Sequence, residues 1–206
     1  LKENSLLKVG LTGGIACGKT VVRQYLDEKG AFTVDADAVV HRLMGPDTEL
    51  SGAIRDAFGT EVMAANRSVD RKKLGAVVFS DGEARQRLNR LVHPRVIAEE
   101  KRLLAEAGRK GERLAVVDAA LMIETGTHRE YDCLLVVFCD QPLQIGRLMN
   151  RDGLSREEAL KRIEAQLPVE EKKRFADFLV DTSGSLAETE SQVDEIWDEL
   201  LSRLAR

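Results

Sequence analysis

Short apolar runs alternate along the chain with longer stretches whose apolar positions recur at helical spacing, a pattern that predicts an α/β fold. Five runs read as strands: Lys8–Thr12, Ala31–Asp35, Leu114–Asp118, Leu134–Cys139 and Phe178–Val180. The third and fourth are almost unbroken aliphatic and β-branched runs, as expected for parallel strands buried on both faces. Helical patterns fill the gaps at Val21–Lys29, Arg95–Glu106 and Leu143–Arg151. The chain closes on Val193, Ile196, Trp197, Leu200, Leu201 and Leu204, spaced as one face of an amphipathic helix. Two regions depart from the alternation. Residues 45–93 read as several short helices without a strand, and residues 147–174 are dense in charge; both read as insertions over the sheet's edge.

Composition narrows the class. The 206 residues carry 31 basic against 35 acidic side chains, so no global charge argues for nucleic acid or a membrane surface as partner. No apolar run reaches roughly 18 residues, so no spanning helix is expected. Leu1–Val9 does not read as a signal peptide. Cys17, Cys133 and Cys139 are widely spread with no C-x-x-C pair, which argues for a reducing, cytoplasmic setting and against a disulfide framework or structural zinc.

The chemistry starts at Gly13-Gly14-Ile15-Ala16-Cys17-Gly18-Lys19-Thr20, a complete G-x-x-x-x-G-K-[ST] match between the first strand and the first helix. Glycines there permit positive φ and close backbone approach to a phosphate. The loop N–H groups and the helix N-terminus then supply a positive field for an anion. Lys19 is expected on the β- and γ-phosphates and the Thr20 hydroxyl on Mg²⁺. Cys17 lies inside the loop, where the helix dipole would lower its pKa and alkylation would block ATP binding; a small residue tolerated at a variable position is the plainer reading.

The guanine-reading tetrapeptide Asn-Lys-x-Asp of switch GTPases is missing, as is Leu-Ser-Gly-Gly-Gln of transport ATPases. A small-molecule kinase needs an acceptor-side carboxylate, a substrate-covering insertion and an arginine-bearing lid. Asp35 and Asp37 close the second strand, which is expected to run beside the first. If the extended conformation persists they point the same way, one as base and one organising metal or water; capping the next helix is the competing role. Arg147 and Arg151 lie one helical turn apart and suit the dispersed charge of a phosphoryl-transfer transition state.

Beyond the loop, the chain resembles the dephospho-CoA kinase family over nearly its whole length. The resemblance rests on Leu11–Ile15, Val34–Asp37, Val69–Arg71, Val92–Pro94, Leu121–Glu124, Arg147–Gly153, Arg162–Gln166 and Ala176–Asp177, in the family's order. It implies a P-loop NTPase fold, three layers α/β/α around a five-stranded parallel sheet, with a helical substrate insertion and a lid. It divides the chain into a nucleotide-binding core (7–44, 111–146, 175–206), a helical CoA-substrate region (45–110) and a lid (147–174). The implied reaction moves the ATP γ-phosphoryl group to the ribose 3′-hydroxyl of dephospho-CoA, with Mg²⁺. Asp37, Lys19 and Arg147 would be catalytic. Gly13 to Val21 and Thr182 would bind nucleotide. Asp35, Asp37, His41, Arg71, His93, Leu121 and Glu124 would bind substrate. His93 reads equally as a residue entering a helix before Pro94, held extended by the proline. The implied partners are small molecules, with no nucleic acid or membrane, on a monomer or weak homo-oligomer. Ala120 stands where the family usually has proline. Thr182 stands where it usually has asparagine, in a loop expected to face the base, which opens GTP use as a question.

Overall fold

The computed structural model describes residues 6–204; the first half of the Leu1–Val9 segment lies outside the described residues. Two compact units emerge. One comprises the described residues up to Val34 and from Glu106 onward, the other Asp35–Ala105.

The first unit is built on β1 (Leu7–Gly13), β2 (Phe32–Asp35), β3 (Leu114–Asp118), β4 (Cys133–Phe138) and β5 (Phe178–Asp181). They form a parallel sheet in the order β2-β3-β1-β4-β5. All of β3 and nearly all of β4 are buried, which is why their sequences show no polar alternation. Register follows from the ladders: Val9 pairs with Val116 and with Cys133, and Leu11 with Leu135. Helices α1 (Lys19–Glu28) and α9 (Leu186–Leu204) cover one face, where Val22, Leu26, Val193, Ile196 and Leu200 pack on Val9, Leu11, Val116, Leu135 and Val180. Each such side chain contributes roughly 1.5–3 kcal/mol by leaving water. Leu201, expected on the buried stripe, is exposed, because the stripe is only as wide as the sheet it meets. On the opposite face a Cβ at Gly10 would lie 2.6 Å from Met122 Sδ and 2.9 Å from Leu134 Cδ1, so the sheet packs tightly there too.

The order corrects one expectation. β2 does not run beside β1; β3 lies between them. The carboxyl end of β3, not that of β2, therefore adjoins the loop after β1. The first unit also holds α6 (Gln141–Asp152), α7 (Arg156–Glu164) and α8 (Val169–Lys173), which span the charged segment.

The second unit is helical, as expected: α2 (Ala36–Leu43), α3 (Glu49–Phe58), α4 (Arg71–Ser80) and the start of α5 (Gly82–Arg109), with a short 3₁₀ turn at Thr60–Val62. Its only extended pairing among the described residues is an isolated antiparallel bridge, Met63 to Val69. α5 departs from the sequence reading. Pro94 does not open a helix but sits inside one of 28 residues, and His93 is helical rather than extended. A proline there removes one backbone donor, at a cost of about 3 kcal/mol or more. Beside it the Arg95 guanidinium donates to the Leu91 carbonyl at 3.0 Å. Among the described residues no helix is long and apolar enough to cross a membrane.

Candidate functional site

The loop after β1 owes its shape to two different glycine constraints. Gly18, the N-cap of α1, has φ 81°, a left-handed conformation that glycine adopts without a Cβ penalty. Gly13 has an ordinary φ, but a Cβ there would stand 2.3 Å from the Val137 carbonyl oxygen, so β4 admits only glycine. The other left-handed residue in the loop is Ala16, at φ 57°, a position expected to favour glycine.

Side chains from later in the chain clip the loop in place. The Ile15 N–H donates to Gln166 Oε1 at 2.8 Å, and its carbonyl accepts from Gln144 Nε2 at 2.8 Å. Ile15 was expected to offer its N–H to a phosphate; here that donor is taken by the glutamine that follows α7. The Val21 N–H is likewise spent on the Gly18 carbonyl at 3.0 Å, within the first helical turn. Thr20 is exposed at the N-terminus of α1.

Lys19 forms an ion pair with Asp118 at the end of β3. Asp118 is 4% exposed, and Arg23 Nε lies 3.3 Å from its other oxygen. So dry a carboxylate needs such partners. The sequence reading gave Asp118 no role. Its signal was an acid ending an apolar run, legible only once β3 is known to flank β1.

Lys172, on α8, is fully buried. Its ammonium donates to the Ala120 carbonyl at 2.8 Å and reaches the Gly13 carbonyl at 3.4 Å. It also pairs with Glu124 Oε1 at 2.8 Å, and that oxygen accepts the Leu167 N–H at 3.0 Å. Glu124, expected on substrate, is thus engaged in tying α8 and the preceding turn to the segment after β3. Thr12 Oγ1 donates to the same Ala120 carbonyl at 3.1 Å, so the residue standing in place of proline serves as an acceptor. Leu121 beside it is half exposed.

Arg147 projects from α6 onto the residue after β5. Its Nη1 donates to Thr182 Oγ1 at 3.0 Å and its Nη2 to the Thr182 carbonyl at 2.8 Å. The Thr182 hydroxyl in turn donates to the Cys17 carbonyl at 2.8 Å. Thr182 is buried against the loop, and a Cβ at Gly18 would meet its hydroxyl at 3.2 Å. Arg147 and Thr182 therefore brace the loop from behind. Arg151 pairs instead with its neighbour Asp152 at 2.8 Å.

Cys17 and Cys139 are both buried, with sulfurs 3.5 Å apart. The expected lowering of the Cys17 pKa is corrected. Its thiol is pushed up, first by its hydrogen bond with Cys139 and then by burial. Cys139 is lowered to about 7, first by its hydrogen bond with Cys17, with the Arg147 guanidinium favouring the thiolate. Cys139 also lines a cavity of about 520 Å³ with Gly14, Phe138, Gln144, Gln166 and Lys173.

In the helical unit, Asp35 ends β2 and caps α2, its Oδ1 accepting the Ala38 N–H at 2.9 Å. The extended conformation does not persist, and Asp37 lies exposed in the first turn of the helix. The two carboxylates are therefore not arranged as on a strand; a good N-cap starts the helix between them. His41 lies one turn beyond Asp37, and its Nδ1 is 3.3 Å from Arg71 Nη1. Arg71 follows Asp70, which caps α4 by accepting the N–H groups of Lys72 and Lys73. His93 is exposed on α5.

A family model described as "Dephospho-CoA kinase" matches residues 7–188. A dephospho-CoA kinase of Syntrophus aciditrophicus is 39% identical over 203 residues, covering 98% of this chain and 86% of the relative.

The chain belongs to the dephospho-CoA kinase family.

Members of this family are ATP-dependent phosphotransferases, and the activity of this chain is phosphorylation of dephospho-CoA, the last step of coenzyme A biosynthesis. The crystal structure of TT1252 from Thermus thermophilus superposes with a TM-score of 0.81 at 31% identity, covering 95% of this chain and 98% of that one. A dephospho-CoA kinase from Campylobacter jejuni shares the fold, with a TM-score of 0.65 at 24% identity over 94% of this chain and 96% of its own. Within this kinase the Lys19–Asp118 pair and the Arg147–Thr182 brace both belong to the first unit, one at the end of the loop and the other against Cys17.

Proposed function

We propose that Asp37 is the base of the reaction, accepting the proton of the ribose 3′-hydroxyl as that oxygen attacks the γ-phosphorus of ATP. The ADP β–γ bridging oxygen is the leaving group. Lys19 carries charge on the β- and γ-phosphates, and Arg147 stabilises the dispersed charge of the transferring group. Asp35 and His41 on α2, with Arg71, His93 and Leu121, bind and orient the acceptor. Glu124 acts on substrate through its hold on Lys172 and the turn after α7. The helical region 45–110 takes the CoA portion, and residues 147–174 act as the lid. The observation that carries the reading is the complete P-loop, with Lys19 on a dry Asp118, inside a chain that matches the family from residue 7 to 188.

Mg²⁺ fits this chain. Among the described residues no three His, Cys, Asp or Glu side chains cluster to hold a metal. Mg²⁺ in phosphoryl-transfer sites relies chiefly on phosphate oxygens and water, with few protein ligands, and the exposed Thr20 hydroxyl at the N-terminus of α1 would be such a ligand. When bound, the ion neutralises charge developing between the β- and γ-phosphates. A monomer or weak homo-oligomer in the cytoplasm, without nucleic-acid or membrane partners, completes the proposal.

The test is a coupled ADP-release assay with Mg·ATP, run with dephospho-CoA, with AMP and without acceptor, products weighed by mass spectrometry. Release should depend on dephospho-CoA, add one phosphate to it and stop when EDTA removes the divalent ion. Turnover with AMP in its place would mean that the acceptor region belongs to another nucleotide kinase. Turnover insensitive to every acceptor would favour a nucleotide-dependent switch. Running GTP beside ATP measures how far Thr182 relaxes base choice. Arg147→Ala should lower kcat by about 10²-fold or more, against about 10³–10⁵-fold for arginine fingers in phosphoryl transfer. A normal rate would reduce Arg147 to a brace for Thr182.

A further inference from the structure

We infer that Cys17 and Cys139 form a reversible disulfide on exposure to a peroxide, and that this bond switches the kinase off by drawing the phosphate-binding loop toward the end of β4. Three observations meet here. The sulfurs already stand 3.5 Å apart. Closing to the bonded separation of about 2.05 Å requires an approach of about 1.5 Å. Cys17 has little slack to supply it. Its N–H donates to the Gly14 carbonyl at 3.2 Å and its carbonyl accepts the Thr182 hydroxyl at 2.8 Å. Gly14 is equally tight, since a Cβ there would lie 2.8 Å from Cys17 Sγ. Movement of the Cys17 sulfur is therefore passed to the loop main chain that faces the phosphates.

The third observation is access. Cys17 is sealed, but Cys139 forms part of the wall of the 520 Å³ cavity. A small oxidant entering there reaches a lining residue, Cys139, whose thiol is held below the ordinary thiol range by its hydrogen bond with Cys17. The Cys139 thiolate attacks one peroxide oxygen, the O–O bond breaks, and a sulfenic acid forms as hydroxide departs. The Cys17 sulfur then attacks the Cys139 sulfur, the S–O bond breaks, and the Cys17 proton leaves with the hydroxyl as water. With hydrogen peroxide, two thiols and one peroxide give one disulfide and two waters. A dithiol reductant reverses the bond by exchange. Cys133 is an internal control: it is buried in β4, and burial raises its thiol to about 11.

The experiment treats the full chain with hydrogen peroxide, maps peptides without reduction, and measures both dephospho-CoA-dependent ADP release and binding of a fluorescent ATP analogue. The peptides bearing Cys17 and Cys139 should appear linked, with Cys133 free. Turnover should fall by about tenfold or more, because misplacing reacting groups by about 1 Å costs up to about 10²-fold. Dithiothreitol should restore it. Cys139→Ala, and Cys139→Ser as a second variant of near-native volume, should show no link and an oxidised-to-reduced activity ratio near unity, each normalised to its own reduced form. Cys133→Ala should respond like the parent. Oxidation of Cys139 to sulfinic acid without a link would overturn the inference. So would a link that leaves turnover and nucleotide binding unchanged, or equal inhibition of the Cys139 variants. Mapping and nucleotide binding do not depend on the acceptor, so failure here is distinguishable from failure of the proposed reaction.

Discussion

Asp37→Asn is expected to lower kcat by about 10²–10⁴-fold, the range of a positioned general base, while ATP affinity stays close to that of the parent chain. The substitution is clean because Asp37 does not hold up its helix. Asp35 caps α2 through the Ala38 N–H, and Asp37 sits exposed in the turn that follows. An amide of the same shape removes the proton acceptor and leaves the cap untouched. Steady-state ADP release with saturating dephospho-CoA, together with calorimetric ATP titration, separates the two effects. Asp35→Asn is the matched control, because asparagine caps as well as aspartate. Near-parental turnover by Asp37→Asn would remove the base assignment, and a large loss in Asp35→Asn would transfer it to the neighbouring carboxylate.

Lys19→Ala should reduce kcat by about 10²–10³-fold, as loss of a charge-stabilising donor does elsewhere, and raise the ATP KM as well. Truncating a charged partner of a nearly dry carboxylate would ordinarily threaten the fold. Here Arg23 remains 3.3 Å from the second oxygen of Asp118, so that carboxylate keeps a cation. Circular dichroism and thermal melting should therefore change little while both kinetic constants move. Loss of the folded signal in Lys19→Ala would show that the ion pair with Asp118 is chiefly structural. Retained ATP affinity would show that Lys19 acts only on the transition state.

The response to these substitutions differs because the residues belong to different physical networks. Lys19, Asp118 and Arg23 share charge at the end of β3. Arg147, Thr182 and Cys17 form a chain of hydrogen bonds behind the loop. Lys172, itself fully buried, gathers two carbonyls and the partly exposed Glu124.

Much of this is legible in the sequence alone. Residue type at fixed spacing is a local property, and the P-loop is local: one strand, eight residues and a helix start. The strands were equally readable, because parallel strands buried on both faces concentrate β-branched residues over short stretches. Family resemblance then supplied the reaction, since its motifs recur in order along nearly the whole chain.

What the sequence by itself determined is thus the set of elements, the nucleotide loop and the family. What only the tertiary structure decided is which distant residues share those elements' ends. β3 rather than β2 adjoins β1, so Asp118 meets Lys19. Thr182 reaches back to Cys17 across 165 positions, and Lys172 to Gly13 across 159. Strand order and long-range partners are fixed by how whole layers bury apolar surface and satisfy polar groups inside it. No local spacing encodes that competition, and an acid at a strand's end, a threonine after another, or two cysteines far apart acquire their chemistry only when packing sets them side by side.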